Sequence, residues 1–274
     1  MNEQNLKIEK LAPNCGGEVL DIDLAHVSDE KTITALKAAL AEHGVLFFRQ
    51  QDITPAQQKE LCRRFGELHL HPAWPRLVEG HPEVMEIYAD KDTTRIAGEE
   101  WHSDVSCDLK PPLGTMLYLI ETPPEGGDTL FANTCAAFEA LSEPMRNLLD
   151  GLTAVHDGEP VYRQGYGEKA VERISYPRAE HPVVRTHPVN GRKGLFVNRT
   201  FTTKIVELTQ RESDALLAML FTHIEHPLFQ CRFRWQSDVV AFWDNRVVQH
   251  LALWDYFPHR RRGHRVTIEG EVPF

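Results

Sequence analysis

The sequence predicts an α+β protein, mainly β, in which a sandwich or jelly-roll core carries flanking helices. Helical periodicity is confined to a few segments, two of them in the first 65 residues. Short runs of β-branched and aromatic residues dominate from Thr115 onward. Gly126-Gly127 and Asn190-Gly191 fall between these runs and supply turns.

Each element has a local cause. Ser28-Asp29-Glu30 reads as a helix start, and Ile33, Leu36 and Leu40 recur at helical spacing until Gly44 stops the run. Val45-Leu46-Phe47-Phe48 reads as a buried strand. Thr54-Pro55 opens a second helix through about Phe65, with proline in the first turn. Thr209-Gln210-Arg211-Glu212 matches a capping box ahead of Leu216, Leu217, Leu220 and Ile224. Strands are expected at Thr115–Ile120, Thr129–Ala132, Gly194–Val197, Arg232–Trp235, Val239–Trp243 and Arg265–Ile268. From Gly158 to Glu180 the periodicity is weak, and a long loop or lid is expected. There is no repeat or linker, so residues 1–274 are expected to form a single domain.

The formal net charge of −10 argues against a nucleic-acid or membrane-surface binder. No apolar run is long enough to span a bilayer, and the first residues lack the features of a signal peptide. The five cysteines are scattered without a C-x-x-C pair, which favours reduced thiols and a cytoplasmic location. A homo-oligomer stays open, because exposed aromatic segments could form an interface.

The chemistry centres on Trp101-His102-Ser103-Asp104, with His250 far downstream. Two imidazoles and a carboxylate can hold a non-haem Fe(II) on one face and leave the opposite positions open. On a strand, residues i and i+2 point to the same side about 7 Å apart, so H-x-D suits chelation from a strand. With 14 histidines and 40 acidic residues, chance matches are expected, and two occur. His81-Pro82-Glu83 sits beside Gly80 in loop-like sequence. His223-Ile224-Glu225 lies in a helical pattern, where i and i+2 are splayed by about 200°. Spacing alone leaves a hydrogen-bonded His/Asp pair as an alternative for His102 and Asp104.

Further motifs follow in order: Gly126-Gly127-Asp128-Thr129, Trp243-Asp244-Asn245-Arg246 ahead of His250, and Arg261 followed by Arg265. Together with Trp101-His102-Ser103-Asp104 they make the chain resemble, over nearly its whole length, the Fe(II)/2-oxoglutarate-dependent dioxygenases of the taurine dioxygenase family. That family includes the 2,4-dichlorophenoxyacetate dioxygenases. The resemblance implies a double-stranded β-helix, a jelly-roll variant, with a metal near one mouth. It implies that His102, Asp104 and His250 ligate the iron and that Thr129 and Arg261 bind the distal carboxylate of 2-oxoglutarate. A guanidinium pairs bidentately with a carboxylate and a hydroxyl adds a donor, which agrees with that role.

For the substrate, the resemblance implies an anion anchor at His71 and Arg265, a backbone donor at Val105 and an apolar wall at Phe201. The spacing of Arg261 and Arg265 places both on one face of a strand. Three positions depart from the taurine enzymes: Trp74 replaces a tyrosine, Tyr162 a phenylalanine and Gly98 an asparagine. The implied reaction consumes O2 and 2-oxoglutarate, gives succinate and CO2, and hydroxylates a small anionic substrate. Taurine or a related alkylsulfonate, which would release sulfite and an aldehyde, leads. Aryloxyalkanoates, alkyl sulfate esters and other small carboxylic acids are the alternatives. Asp104 favours hydroxylation over halogenation, because halogenating relatives lack that carboxylate. A non-catalytic metal-binding jelly roll and a zinc hydrolase are the readings from other classes.

Overall fold

The computed structural model describes residues 6–71, 76–96, 98–166 and 176–274, the side chains of 164–166 excepted. An eight-stranded sheet forms the frame, in the order Lys7–Lys10, Gly17–Leu20, Val45–Phe48, Val239–Asp244, Gly114–Glu121, Arg261–Ile268, His81–Ala89, Leu77–Val78. Its central strands are buried on both faces, which explains their unbroken apolar runs. Leu46, Phe48, Met116, Tyr118, Val240 and Phe242 pack on one side with Ile33, Leu36 and Leu40 of the helix Glu30–His43 and Leu61 of the helix Pro55–Arg63. Their alternating neighbours Val45, Phe47, Leu117, Leu119, Ala241 and Trp243 face the other way, onto Phe131, Cys231, Phe233 and Val248 of a second sheet. Phe47 stacks on Phe233 with ring centroids 3.8 Å apart.

The second sheet runs Gln230–Phe233, Thr129–Asn133, Val248–Ala252 and stands opposite the large one. Two smaller sheets, Thr202–Ile205 with Thr153–Asp157 and Arg178–Pro182, and Val184–Thr186 with Lys193–Leu195, continue the architecture. They pack with the helices Thr134–Glu139 and Gln210–Ile224 around a third apolar cluster. The expected mainly-β jelly roll with flanking helices is the observed arrangement.

Local signals placed several boundaries. Asp29 accepts a hydrogen bond from the Thr32 N–H at 2.8 Å, and Gly44 closes the first helix at φ 74°. Capping boxes at Thr54/Gln57 and Thr209/Glu212 open the helices Pro55–Arg63 and Gln210–Ile224.

Three expectations are corrected. The segment 158–180 is not one long loop: its described parts form the helix Glu159–Tyr166 and a strand at Arg178–Pro182. The helix gave little apolar periodicity because it is short and rests on the buried Tyr162. His81-Pro82-Glu83 is not a loop but begins the strand His81–Ala89. Proline is accepted there because pairing with Arg261–Ile268 starts only at Val84. The third is at His102 and Asp104, which do not share a strand.

The strand Arg261–Ile268 keeps an unbroken register with Ala89–Val84. Arg261, Gly263 and Arg265 therefore share a face, as their spacing suggested. At Gly263 a Cβ would stand 2.5 Å from the Tyr118 carbonyl oxygen and 2.7 Å from Leu119 Cδ2. Gly263→Ala is expected to cost about 1–3 kcal/mol by forcing the strands apart. A denaturation midpoint equal to the wild type would refute that close approach.

Candidate metal centre and active site

His102 and His250 form an isolated antiparallel bridge: the His102 N–H donates to the His250 carbonyl at 3.1 Å and the His250 N–H to the His102 carbonyl at 2.8 Å. Such a pair holds two side chains side by side. The ring centroids lie 4.1 Å apart. His102 Nδ1 lies 2.7 Å from the Glu100 carbonyl oxygen, which accepts its proton and leaves Nε2 with its lone pair exposed. Trp243 flanks the His250 ring at 4.8 Å.

Asp104 reaches the same point from a turn, not from the strand that the H-x-D spacing suggested. One bridge residue is enough to aim His102, and the chain then bends. Val105 sits at φ 43°, an uncommon conformation for a β-branched residue, costing roughly 1–3 kcal/mol. The bend carries Asp104 toward the large sheet. Its Oδ2 accepts hydrogen bonds from Thr115 Oγ1 at 2.7 Å and Trp243 Nε1 at 3.2 Å, and its N–H donates to Asn245 Oδ1 at 3.3 Å. Oδ1 lies 3.6 Å from each histidine Nε2.

One ligand atom from each of His102, Asp104 and His250 lies within 4.8 Å of the others, and all three residues are buried. Burial alone would raise the Asp104 pKa, but Arg265 and the two histidines outweigh it and hold the carboxyl well below its ordinary range. Burial, and then His102, push the His250 pKa well down. A carboxylate beside two imidazoles is the donor set that a divalent first-row metal takes. Thr115, Trp243 and Asn245, which steady the carboxylate, carried no assigned role in the sequence. Only Trp243 and Asn245 stood within a recognisable motif.

Asp244 and Arg246 of that motif serve the frame instead. Asp244 accepts two bonds from Arg246, at 2.8 and 2.6 Å, and faces His187 Nε2 at 3.1 Å. All three are buried, and the pairing clamps the turn that leads into His250.

Thr129 and Arg261 gather around Trp235. Trp235 Nε1 donates to Thr129 Oγ1 at 2.9 Å, and the Arg261 guanidinium carbon lies 5.7 Å from the Trp235 ring centroid. Thr129 is two residues along its strand from Phe131, the partner of His250, so it projects on the metal's side of that strand, opposite Ala252. Arg261 is 6% exposed, forms no ion pair among the described residues, and its Nε has no hydrogen-bond partner. Burial lowers its pKa. A guanidinium sealed away without a counterion fits a site for a ligand carboxylate.

A cavity of about 110 Å³ opens beside His102 and Asp104, walled by Met85, Val161, Tyr162 and Phe201, with Arg265 and His71 as its basic groups. Val105, Gly98 and Thr200 complete its lining with His102 and Asp104. The structure therefore brings His71, Val105, Tyr162, Phe201 and Arg265 together, whereas Trp74 lies outside the described residues. Met85, Val161 and Thr200 were not singled out in the sequence, since nothing local distinguishes them from core or surface residues. Gly98 has φ 88°, and a Cβ there would stand 3.2 Å from His102 Cε1. The missing side chain leaves the edge of that imidazole uncovered.

The family model for taurine catabolism dioxygenases, TauD and TfdA, matches residues 7–267. The chain belongs to this family. Among TauD/TfdA relatives, an alpha-ketoglutarate-dependent sulfonate dioxygenase of Saccharomyces cerevisiae is 36% identical, over 99% of this chain and 69% of its own length. An alpha-ketoglutarate-dependent sulfate ester dioxygenase of Pseudomonas putida is 34% identical, over 98% of this chain and 91% of its own. The crystal structure of a taurine dioxygenase from Burkholderia xenovorans superposes with a TM-score of 0.84 at 37% identity, covering 98% and 91% of the two chains. The protein is accordingly a 2-oxoglutarate-dependent non-haem iron dioxygenase that uses Fe(II), 2-oxoglutarate and O2. Among the described residues, no helix is long and apolar enough to cross a membrane.

Two histidines near the cavity tie this dioxygenase's stability to pH. Burial and the nearby His181 push the pKa of His156 down to about 3; its Nδ1 lies 3.0 Å from Ser106 Oγ. Burial and then Arg265 push His71 down to about 4. Both stay neutral in the fold, while the unfolded chain takes up protons below about pH 6.5. The unfolded state thus binds more protons, and stability must fall as pH drops from about 6.5 toward the folded values, by about 1.4 kcal/mol per pH unit for each histidine. His156→Gln is expected to flatten the stability profile between about pH 6 and 4 by close to one proton. Identical slopes in urea unfolding for variant and wild type would show that His156 is already charged in the fold.

Proposed function

We propose that the protein hydroxylates a small alkylsulfonate next to sulfur, so that the product breaks down to sulfite and an aldehyde while 2-oxoglutarate yields succinate and CO2. The observation that carries this reading is the cavity itself: a guanidinium and an imidazole at an otherwise apolar pocket bordering His102 and Asp104. A sulfonate needs a cation and hydrogen-bond donors, and Arg265 with a neutral His71 supplies them. The walls of Met85, Val161, Tyr162 and Phe201 suit an alkyl chain.

In this reading His102, Asp104 and His250 hold the iron, which supplies O2 activation and the oxidation of a substrate C–H bond. Thr129 and Arg261 fix the distal carboxylate of 2-oxoglutarate. Arg265 and His71 hold the substrate anion, the Val105 N–H adds a donor, and Tyr162 and Phe201 exclude water from the reacting carbon. Trp74 is assigned to the same pocket on the family pattern alone. Positioning of this kind is what the protein contributes to rate. The residues 1–274 act as one catalytic domain, and the unpaired, buried cysteines support a cytoplasmic setting.

A second reading, an alkyl sulfate ester, is favoured by one feature. Among the described lining residues Asp104 is the sole carboxylate, so nothing else there would pair with the ammonium of taurine. An alkyl sulfate presents the same anionic head and an apolar tail. The deciding measurement is succinate formation across taurine, pentanesulfonate, hexyl sulfate and 2,4-dichlorophenoxyacetate. Fastest turnover is expected with pentanesulfonate, and sulfite must appear in step with succinate. Preference for the aryloxyacetate, or succinate without sulfite, would overturn the sulfonate assignment.

A further inference from the structure

Arg265 makes a contact that substrate binding alone does not explain. Its Nη2 lies 2.5 Å from Asp104 Oδ1. The other carboxylate oxygen is engaged by Thr115 and Trp243, so Oδ1 is the oxygen that faces both histidines. The guanidinium is only 16% exposed, packs 5.7 Å from the Trp243 ring centroid, and leaves its Nε without a partner. Among the ion pairs of the described residues, Asp104 is the one carboxylate that Arg265 meets.

We propose that Arg265 and the metal compete for Oδ1 of Asp104, so that filling the metal site releases the guanidinium to bind the substrate anion. This rests on the reading of Arg265 as the anion anchor. The physical argument is charge balance. The Asp104 carboxylate is neutralised by the Arg265 guanidinium. A dication on the same oxygen repels that guanidinium and withdraws its counterion, leaving a cation beside an apolar cavity. An incoming sulfonate then restores the balance. Metal and substrate are thereby linked: each strengthens the other's binding by the same factor.

The competing possibility is that Arg265 orients Asp104 for the metal, as Thr115 and Trp243 do. The two differ in sign. Mn(II) is titrated into the metal-stripped protein without 2-oxoglutarate or substrate and followed by electron paramagnetic resonance. Arg265→Gln is expected to bind Mn(II) about tenfold more tightly than the wild type, within the usual range of coupling between sites. An affinity equal to or weaker than wild type overturns the competition. Arg265→Lys, which retains the charge on a shorter reach, is expected between the two, and circular dichroism checks that both variants fold. Pentanesulfonate added to the wild type should tighten Mn(II), an effect absent in Arg265→Gln. The metal titration alone decides the competition. If pentanesulfonate binds neither metal-free nor Mn(II)-loaded protein, it is the substrate assignment that fails.

Discussion

Arg261→Ala is expected to raise the KM for 2-oxoglutarate by about a hundred- to several-thousand-fold, equivalent to about 3–5 kcal/mol. The size follows from burial. Arg261 is 6% exposed, its Nε has no partner, and burial already depresses its pKa. The fold pays for this charge in the absence of a counterion, so the matching anion gains the full benefit when it arrives. Truncation would leave the distal carboxylate of 2-oxoglutarate desolvated against the Trp235 indole and the Thr129 hydroxyl. Arg261→Lys should recover part of the affinity, since it restores charge without the planar fork. A 2-oxoacid without a distal carboxylate, such as 2-oxobutyrate, should lose far less between wild type and Arg261→Ala. A near-normal KM for 2-oxoglutarate in that variant would reassign Arg261 to the frame.

His102→Ala is expected to abolish stoichiometric Fe(II) binding and turnover together. The imidazole cannot be replaced by a neighbour, because its direction comes from two constraints at once. The backbone bridge to His250 sets its side, and the Glu100 carbonyl at 2.7 Å sets its tautomer. Loss of an outer partner is the milder case: Thr115→Val, which removes the 2.7 Å bond to Asp104, should weaken metal binding about ten- to a hundredfold. Metal analysis after anaerobic loading reads both variants. With 2-oxoglutarate added, the wild type should also show a weak visible charge-transfer band that His102→Ala lacks. Retained Fe(II) with full turnover in His102→Ala would sink the assignment of the three ligands.

Much of the frame was legible residue by residue. The caps at Asp29, Thr54 and Thr209 act within one helical turn, and the apolar runs at Val45–Phe48 and Val239–Asp244 report burial on both faces. Elements with weaker local signals escaped. The strand His81–Ala89 carries a proline ahead of its pairing with Arg261–Ile268, and the helix Glu159–Tyr166 is short and buries Tyr162. In the site, the histidines, Asp104 and the two arginines were visible because charge and imidazole are conspicuous in a motif. Thr115, Met85, Val161 and Thr200 were not, since a threonine or methionine on a strand reads the same whether it faces packing or a pocket.

The chain's own order of residues was sufficient for the helix ends and the two-faced strands, because propensity, capping and alternation act over a few residues; His102, Asp104 and His250 stood out only through an ordered set of motifs. Convergence was decided by tertiary structure. His102 and His250 are 148 positions apart and meet only because two backbones exchange hydrogen bonds. Asp104 joins them from a turn held by the opposite sheet, and Arg265 arrives from a third strand to take the same oxygen. Such meetings depend on sheet order and register, and those are set by the packing of the whole core.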